Sequence, residues 1–358
     1  MTTLTHDKQG PVTGGVDTHK HVHVAAVIDS IGRLVATAEF ATTSSGYRDL
    51  LAWMRSHGEL VAVGVEGCGS WGAGVARHLT AAGVRVVEVN RQNRQNRRRR
   101  GKSDVIDAEA AARAVLAGDA CVTPKAQTGR VEAVRQLRVA RAGAMKARTA
   151  AANQLHSLCD TAPDAVRAQL VGLSLKRMVA VAERWRRGDE MTVEASARRA
   201  LGSVARRWRG LDDEARALRA DIRAILLDIA PDLLAVHGVG DHTAGQLLVT
   251  AGDNPDRLHH ENSFAALCGS TPVAASSGKT RRHRLNRGGD RQANSALWSI
   301  VRTRMANHPP TIAYVERRTA DGLSKPDIMR CLKRYVAREL FPLIRDIAHT
   351  DTANDSAA

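Results

Sequence analysis

Aromatic residues are scarce in this sequence: Phe, Tyr and Trp make up 3% of its 358 residues. So thin a set excludes a protein that binds mainly by stacking single-stranded bases on aromatic side chains. Cysteine is scarce too, and the five present (Cys68, Cys121, Cys159, Cys268 and Cys331) are far apart, with no CxxC pair. That spacing argues against a disulfide framework or a zinc site, and for buried thiols. No run approaches the roughly 18 apolar residues that a membrane span needs. The opening MTTLTHDKQG carries no apolar signal-like stretch, so the expectation is a cytoplasmic protein with no membrane partner.

Negative charge is also short. Lys and Arg number 53 against 37 Asp and Glu, a formal net charge of +16. The excess is clustered: RQNRQNRRRRGK (91–102) holds seven bases and no acid, and residues 279–291 hold six bases and one acid. A solvated surface usually mixes signs, so these blocks point to a polyanion, and arginine grips phosphate through two hydrogen bonds at once. Arg94, Arg97, Arg98, Arg99, Arg100 and Lys102 in the first block, and Lys279, Arg281, Arg282, Arg284, Arg287 and Arg291 in the second, are the candidate nucleic-acid contacts.

The first hundred residues read as α/β. VTGGVDT and HVHVAAVID are β-rich runs, and alternation predicts Val22, Val24, Ala26 and Ile28 on one buried face. LVATAEFA reads as a third strand. SSGYRDLLAWMRSHG predicts a serine-capped amphipathic helix with Leu50, Leu51 and Met54 inward and Gly58 closing it. LVAVGVEG is almost unbroken in its apolar character, as in a strand buried on both faces. A helix through WGAGVARHL and a strand VRVVEVN follow, and Ser103 is placed to cap a helix from about Asp104 to Leu116. This order predicts a mixed sheet with helices on its faces. A doubly wound nucleotide-binding domain would need a glycine-rich phosphate turn after its first strand, and GGVDTHK has none.

From about residue 130 to 230 strand patterns vanish. Leu211, Ala215, Leu218, Ile222, Ile225 and Ile229 are spaced four, three, four, three, four, a heptad seam. It can close within the chain as a helical hairpin or against a second subunit, and the spacing is compatible with both. LLAVHGVGDHTAGQLLVTAG (233–252) predicts helix, glycine hairpin, helix, with Gly238 and Gly240 bracketing a turn that can offer N–H groups to a backbone phosphate. Further helices are expected around 261–268, 290–307 and 324–347, and the polar TDTANDSAA tail is expected to be disordered.

Four carboxylates fall where an α/β nuclease needs them. Asp17 ends the first strand, Glu66 ends the apolar strand, and Asp104 and Asp107 stand three apart on one helical face. Gathered at one rim they would repel unless divalent cations joined them, and hard oxygen donors select Mg²⁺ or Mn²⁺. Two such ions would stabilise the attacking and leaving oxygens at a phosphodiester. His19, His21 and His23 alternate in sequence and are read as a partly exposed strand face, not as metal ligands.

The segments GVDTHK, VGVEGCGSWG, KSDVIDAEAAA and TPVAASSGKTRRHRLNRGGDRQANSAL resemble, in order and spacing, the insertion-sequence transposases with a RuvC-like DEDD domain. These are relatives of the Piv-type DNA invertases, in a family that includes bridge-RNA-guided recombinases. The resemblance implies a RuvC-like, RNase H-like α/β domain over 12–128 and a helical coiled-coil region over 129–230. A mostly α C-terminal transposase domain with a helix-hairpin-helix and a serine motif would occupy 231–347, ahead of a tail at 348–358. It implies that Asp17, Glu66, Asp104 and Asp107 hold two Mg²⁺ or Mn²⁺ ions, and that Ser277, directly before Gly278, attacks DNA to give a phosphoserine intermediate. Ser276 is the competing nucleophile and His283 a candidate base. The implied partners are double-stranded donor and target DNA, a noncoding bridge RNA and further copies of the chain, as dimer or tetramer, meeting the bacterial nucleoid in the cytoplasm. The residues alone leave two other readings: a structure-selective endonuclease using water, and a non-catalytic nucleic-acid-binding protein.

Overall fold

The structure, a computed structural model, describes residues 10–89, 103–185, 191–254, 257–278 and 283–355. They form two compact units. One comprises the chain up to Thr128 together with Gly252–His259; the other comprises Gly129–Ala251 and the chain from His260 onward.

The first unit is built on a five-stranded sheet in the order β3-β2-β1-β4-β5. Its strands are β1 (Pro11–Thr18), β2 (Val22–Asp29), β3 (Leu34–Ala41), β4 (Glu59–Glu66) and β5 (Val86–Val89). The first three pair antiparallel, while β4 joins β1 in parallel with Val16 opposite Val65, and β5 joins β4 in parallel. Helices α1 (Ser44–Ser56) and α2 (Ala73–Ala81) bury Leu50, Met54, Val75 and Leu79 on one face against Val16, Ala25, Val27, Val63 and Val65. Helix α3 (Asp104–Leu116) covers the other, where Ala108 meets Val24 and Ala26. The α1 cap is Thr43, whose hydroxyl accepts from Gly46 N at 3.1 Å, so the serine cap expected there is displaced by one residue. The prediction that β2 would bury one face needs a larger correction. Val24, Ala25, Ala26, Val27 and Ile28 are all buried, because α1 and α2 occupy the face of Ala25 and Val27 that alternation would have left to water, while Val22, expected on the inner face, is exposed.

Two glycines decide how closely α3 lies on the sheet. A Cβ at Gly15 would stand 2.1 Å from Ala108 O, and one at Gly64 would stand 2.6 Å from Ala111 O. Helix backbone therefore rests directly on strand backbone, which only glycine permits. The segment from Gly252 is stitched to the same unit. The Asp253 carboxylate, 3% exposed, accepts the N–H groups of Gln127 and Thr128 at 3.0 and 2.8 Å. Gln127, held at φ 57°, donates through Nε2 to Cys68 O at 2.9 Å.

Among its described residues the second unit is helical, apart from the short ladder of β6 (Val273–Ala274) and β7 (His283–Arg284). Two long helices, α4 (Arg130–Asp160) and α7 (Val193–Ile229), run antiparallel. Arg130 pairs with Asp228, Arg148 with Asp212, and Arg207 donates to Gln154, so numbers rise on one helix as they fall on the other. The heptad partner thus lies within the chain. The buried seam is offset from the predicted one: Trp208, Asp212, Ala215, Ile222 and Leu226 are buried, whereas Leu211, Leu218, Ile225 and Ile229 are only half-buried. The short helices α5 (Asp164–Arg167) and α6 (Leu175–Ala182) close the far end of the pair over Leu155, Leu201 and Trp208.

The remaining helices are α8 (Pro231–Ala235), α9 (Asp241–Ala251), α10 (Glu261–Leu267), α11 (Arg291–Asn307), α12 (Pro309–Ala320) and α13 (Lys325–Asp355). Helix α12 was not anticipated, although Pro at its first turn is an ordinary starting signal. Helix α13 extends to Asp355, into residues expected to form a disordered tail. No helix among the described residues is long and apolar enough to cross a membrane.

Candidate active site

The C-terminal ends of β1 and β4 lie side by side, so parallel register carries Asp17 and Glu66 to one rim of the sheet. Thr18 Oγ1 donates to Glu66 O at 2.8 Å and ties the two strand ends together. Ser103 caps α3 as expected, accepting from Ile106 N at 3.3 Å, and Asp104 and Asp107 follow in the first turn. The close seating of α3 on Gly15 and Gly64 brings that turn to the same rim.

Asp17 and Asp107 are each 7% exposed, and Glu66 is half-buried. Burial raises the Asp17 carboxyl above the usual carboxylate range; His19 opposes that rise, while the negative charges of Glu66, Asp107 and Asp104 add to it. The other three acids therefore all act on Asp17. The imidazole of His19 stands in the β1–β2 turn with Nε2 3.2 Å from Asp17 Oδ2 and 3.3 Å from Asp104 Oδ2. Donor atoms of Asp17, His19 and Asp104 lie within 4.8 Å of one another. A carboxylate-rich cluster at a strand rim, opposed among the described residues by His19, fits a divalent cation, and its oxygen donors suit the hard ions.

Reading the three histidines as one exposed strand face is corrected on two counts. His19 is part of the acidic constellation. His23 is fully buried in β2 and stacks on Tyr47 at 5.7 Å, and burial, helped by the charge of His19, pushes its pKa down to about 4. The sequence signal for His19 was its place two residues after Asp17, in the turn that must carry the chain away from the rim.

The candidate serines lie in the other unit. Ser276, Ser277 and Gly278 follow β6 and are exposed, and Gly278 has φ +54°, the left-handed turn conformation that favours glycine. His283, Arg284, Arg287 and Arg291 are exposed as well. Arg94, Arg97, Arg98, Arg99, Arg100, Lys102, Lys279, Arg281 and Arg282 lie outside the described residues. The glycine hairpin forms between α8 and α9 as expected, with Gly238 at φ +83°. Its N–H groups are less available than anticipated: Gly240 N donates to Thr243 Oγ1 at 2.9 Å and Val239 N to Val236 O at 3.0 Å.

An acidic strand rim in an α/β unit is a setting for metal-assisted chemistry on phosphodiesters. Residues 14–162 match the family model of DEDD transposases of the IS110 type, and residues 230–316 match that of the IS116/IS110/IS902 transposase family. A protein of Streptomyces coelicolor described as "Insertion element IS110 uncharacterized 43.6 kDa protein" is 32% identical over 150 residues, covering 40% of this chain and 36% of that relative. The chain thus spans about a third of the relative's length. It belongs to the IS110-type DEDD transposase family.

Proposed function

We propose that this protein is a DNA transposase or site-specific recombinase that cuts and rejoins double-stranded DNA. The gathering of Asp17, Glu66, Asp104 and Asp107 at one rim is the observation that carries the reading. The strand order β3-β2-β1-β4-β5, antiparallel then parallel, supports an RNase H-like, RuvC-like assignment for the first unit. The long α4–α7 pair supports a coiled-coil connection to a C-terminal transposase domain.

In this reading the four acids hold two Mg²⁺ or Mn²⁺ ions, which would supply positive charge to the phosphodiester oxygens as the bond to phosphorus changes. Asp17, buried and surrounded by acids, carries a charge that a bound cation would offset. His19 orients the carboxylates of Asp17 and Asp104 from the turn. Ser277 is the nucleophile: its Oγ bonds to phosphorus while the departing sugar oxygen takes up a proton, and the reverse attack by a DNA hydroxyl rejoins the strand and frees the serine. The arginines of the serine segment, Arg281, Arg282 and Arg284 foremost, stabilise negative charge on the phosphorus centre. The acids of one subunit receive the serine of another in a homo-oligomer, a dimer or tetramer. A noncoding bridge RNA selects the donor and target DNA, and the reaction takes place on cytoplasmic DNA.

The test is a DNA strand-exchange assay with Mg²⁺, run beside a denaturing gel for protein–DNA adducts. Glu66→Gln should abolish cleavage, and Ser277→Ala should bind DNA and RNA yet form no adduct. An adduct lost only in Ser276→Ala would reassign the nucleophile. Cleavage with no adduct in any variant would mean that water attacks, as in a structure-selective endonuclease. DNA binding with no Mg²⁺-dependent cleavage would leave only a nucleic-acid-binding protein.

A further inference from the structure

The glycine hairpin borders a cavity of about 350 Å³ within the helical unit, and the chemistry of its wall comes mostly from elsewhere in the fold. Arg138 and Arg141 project into it from α4, Arg219 from α7, and Thr303 stands at its edge on α11. The hairpin itself is rigidly held. Arg304, 6% exposed, donates through Nε to His237 O at 2.8 Å and grips Glu339 with both terminal nitrogens. With Val239 and Gly240 already donating within the turn, backbone N–H groups contribute little to an anion there.

The side chains are differently disposed. Arg219 and Arg223 share the buried carboxylate of Asp241, at 3.2 and 2.6 Å. Arg138 is fixed against the start of α9, donating to His242 O at 2.8 Å and Gln246 Oε1 at 2.6 Å. Arg141 has no such anchor: its Nε is buried and finds no hydrogen-bond partner among the described residues. The wall therefore carries three guanidinium groups, Arg138, Arg141 and Arg219, against the carboxylate of Asp241, which also takes Arg223; Asp290, whose charge reaches Arg138, is already engaged capping α11 and accepting from Thr250 at 2.6 Å. Burial, then the charge of Arg141, pushes the Arg138 pKa down to about 10, and the same two influences with Arg138 lower His242. Uncompensated positive charge around a preformed cavity is what a site for an external anion requires.

We propose that this cavity seats a backbone phosphate of a bound nucleic acid, with Arg141 as its principal ligand, Arg138 and Arg219 as fixed supports, and the glycine hairpin giving the strand close access. The proposal rests on the reading of the chain as a nucleic-acid enzyme, and it makes the second unit a binding element that needs no divalent ion.

Salt-dependent binding tests it. Fluorescein-labelled DNA and RNA duplexes of equal length and arbitrary sequence are titrated with the full chain in EDTA across a range of NaCl concentrations. Arg141→Gln should lower the slope of log K against log salt by about 1, the loss of one phosphate contact. Arg141→Lys should restore most of it. Thr303→Glu, which sets an anion at the exposed rim, should weaken binding without touching the arginine network, so it still decides the matter if Arg141→Gln proves unstable. A change with the DNA or the RNA duplex supports the site and tells which strand occupies it. Slopes and affinities unchanged by Arg141→Gln and Thr303→Glu on both duplexes would overturn it. The assay involves no cleavage: a wild-type chain that never cuts DNA, yet shows the slope change, would retain the phosphate site and sink the transposase reading.

Discussion

Gly15→Ala is the most informative substitution in the first unit, because it perturbs the candidate site without touching any acid. The added Cβ would stand 2.1 Å from Ala108 O, 2.5 Å from Ala112 N and 3.0 Å from Ala112 Cβ, where ordinary contact begins at 3.4 Å. All three obstacles belong to the packed helix α3, so relief requires the helix to retreat by roughly 1 Å, since close-packed interiors have no slack to absorb it locally. Overpacking of this kind costs about 1–3 kcal/mol. The same movement carries Asp104 and Asp107 away from Asp17 and Glu66, and a displacement of about 1 Å at a reacting centre can cost on the order of 100-fold in rate. Urea denaturation and Mg²⁺-dependent cleavage should both fall, cleavage much further than stability predicts. Gly210→Ala is the control, since nothing lies within 4 Å of its Cβ on the exposed side of α7; it should stabilise the helix by about 0.5–1 kcal/mol. Full activity in Gly15→Ala would refute the idea that the close approach of α3 sets the acid geometry.

Other consequences are sharp enough to measure. Asp17→Asn should raise the thermal midpoint in EDTA while abolishing Mn²⁺ binding by calorimetry, because it removes a buried carboxylate crowded by three others; a lower midpoint in EDTA would contradict that crowding. His23 has its pKa lowered from 6.5 to about 4, so its burial in neutral form stabilises the fold fully above pH 6.5, and that contribution is lost as pH falls toward 4. The loss is roughly 3 kcal/mol, and His23→Phe should flatten the dependence of the urea midpoint on pH across that window. Asp212→Ala should destabilise the helical unit by about 1–3 kcal/mol, a modest figure because both its arginine partners reach solvent. Hydrogen bonds from Arg216 and Arg148 outweigh the burial that would raise the Asp212 carboxyl, and hold it below the usual range. An unchanged denaturation midpoint would mean that the buried ion pairs do not pin α4 to α7.

The sheet was legible because strands buried on both faces write long apolar runs, and because Ser103 and Pro231 mark helix ends by local chemistry that tertiary contacts left intact. The order of acids was legible for a related reason: carboxylates interrupting apolar strands have few other uses. Features set by packing between distant segments were not. Alternation in β2 misled because α1 and α2, from later in the chain, cover the second face at Ala25 and Val27. The heptad seam was misplaced because Asp212 occupies a seam position, paired with Arg148 and Arg216, and an apolar count passes over a buried aspartate. Gly15 and Gly64 look like weak points in strands until the helix above them is seen. His19 shows its partners only once the turn has folded, and the Asp253 carboxylate that fixes Gln127 and Thr128 is separated from them by more than a hundred residues.

Anomalous diffraction from crystals grown with Mn²⁺ addresses the metal-site claim most directly. Two peaks bounded by the carboxylates of Asp17, Glu66, Asp104 and Asp107, absent from crystals of Asp17→Asn, are the expected result. Manganese bound elsewhere, or no ordered manganese at a rim whose four acids keep their positions, would contradict it.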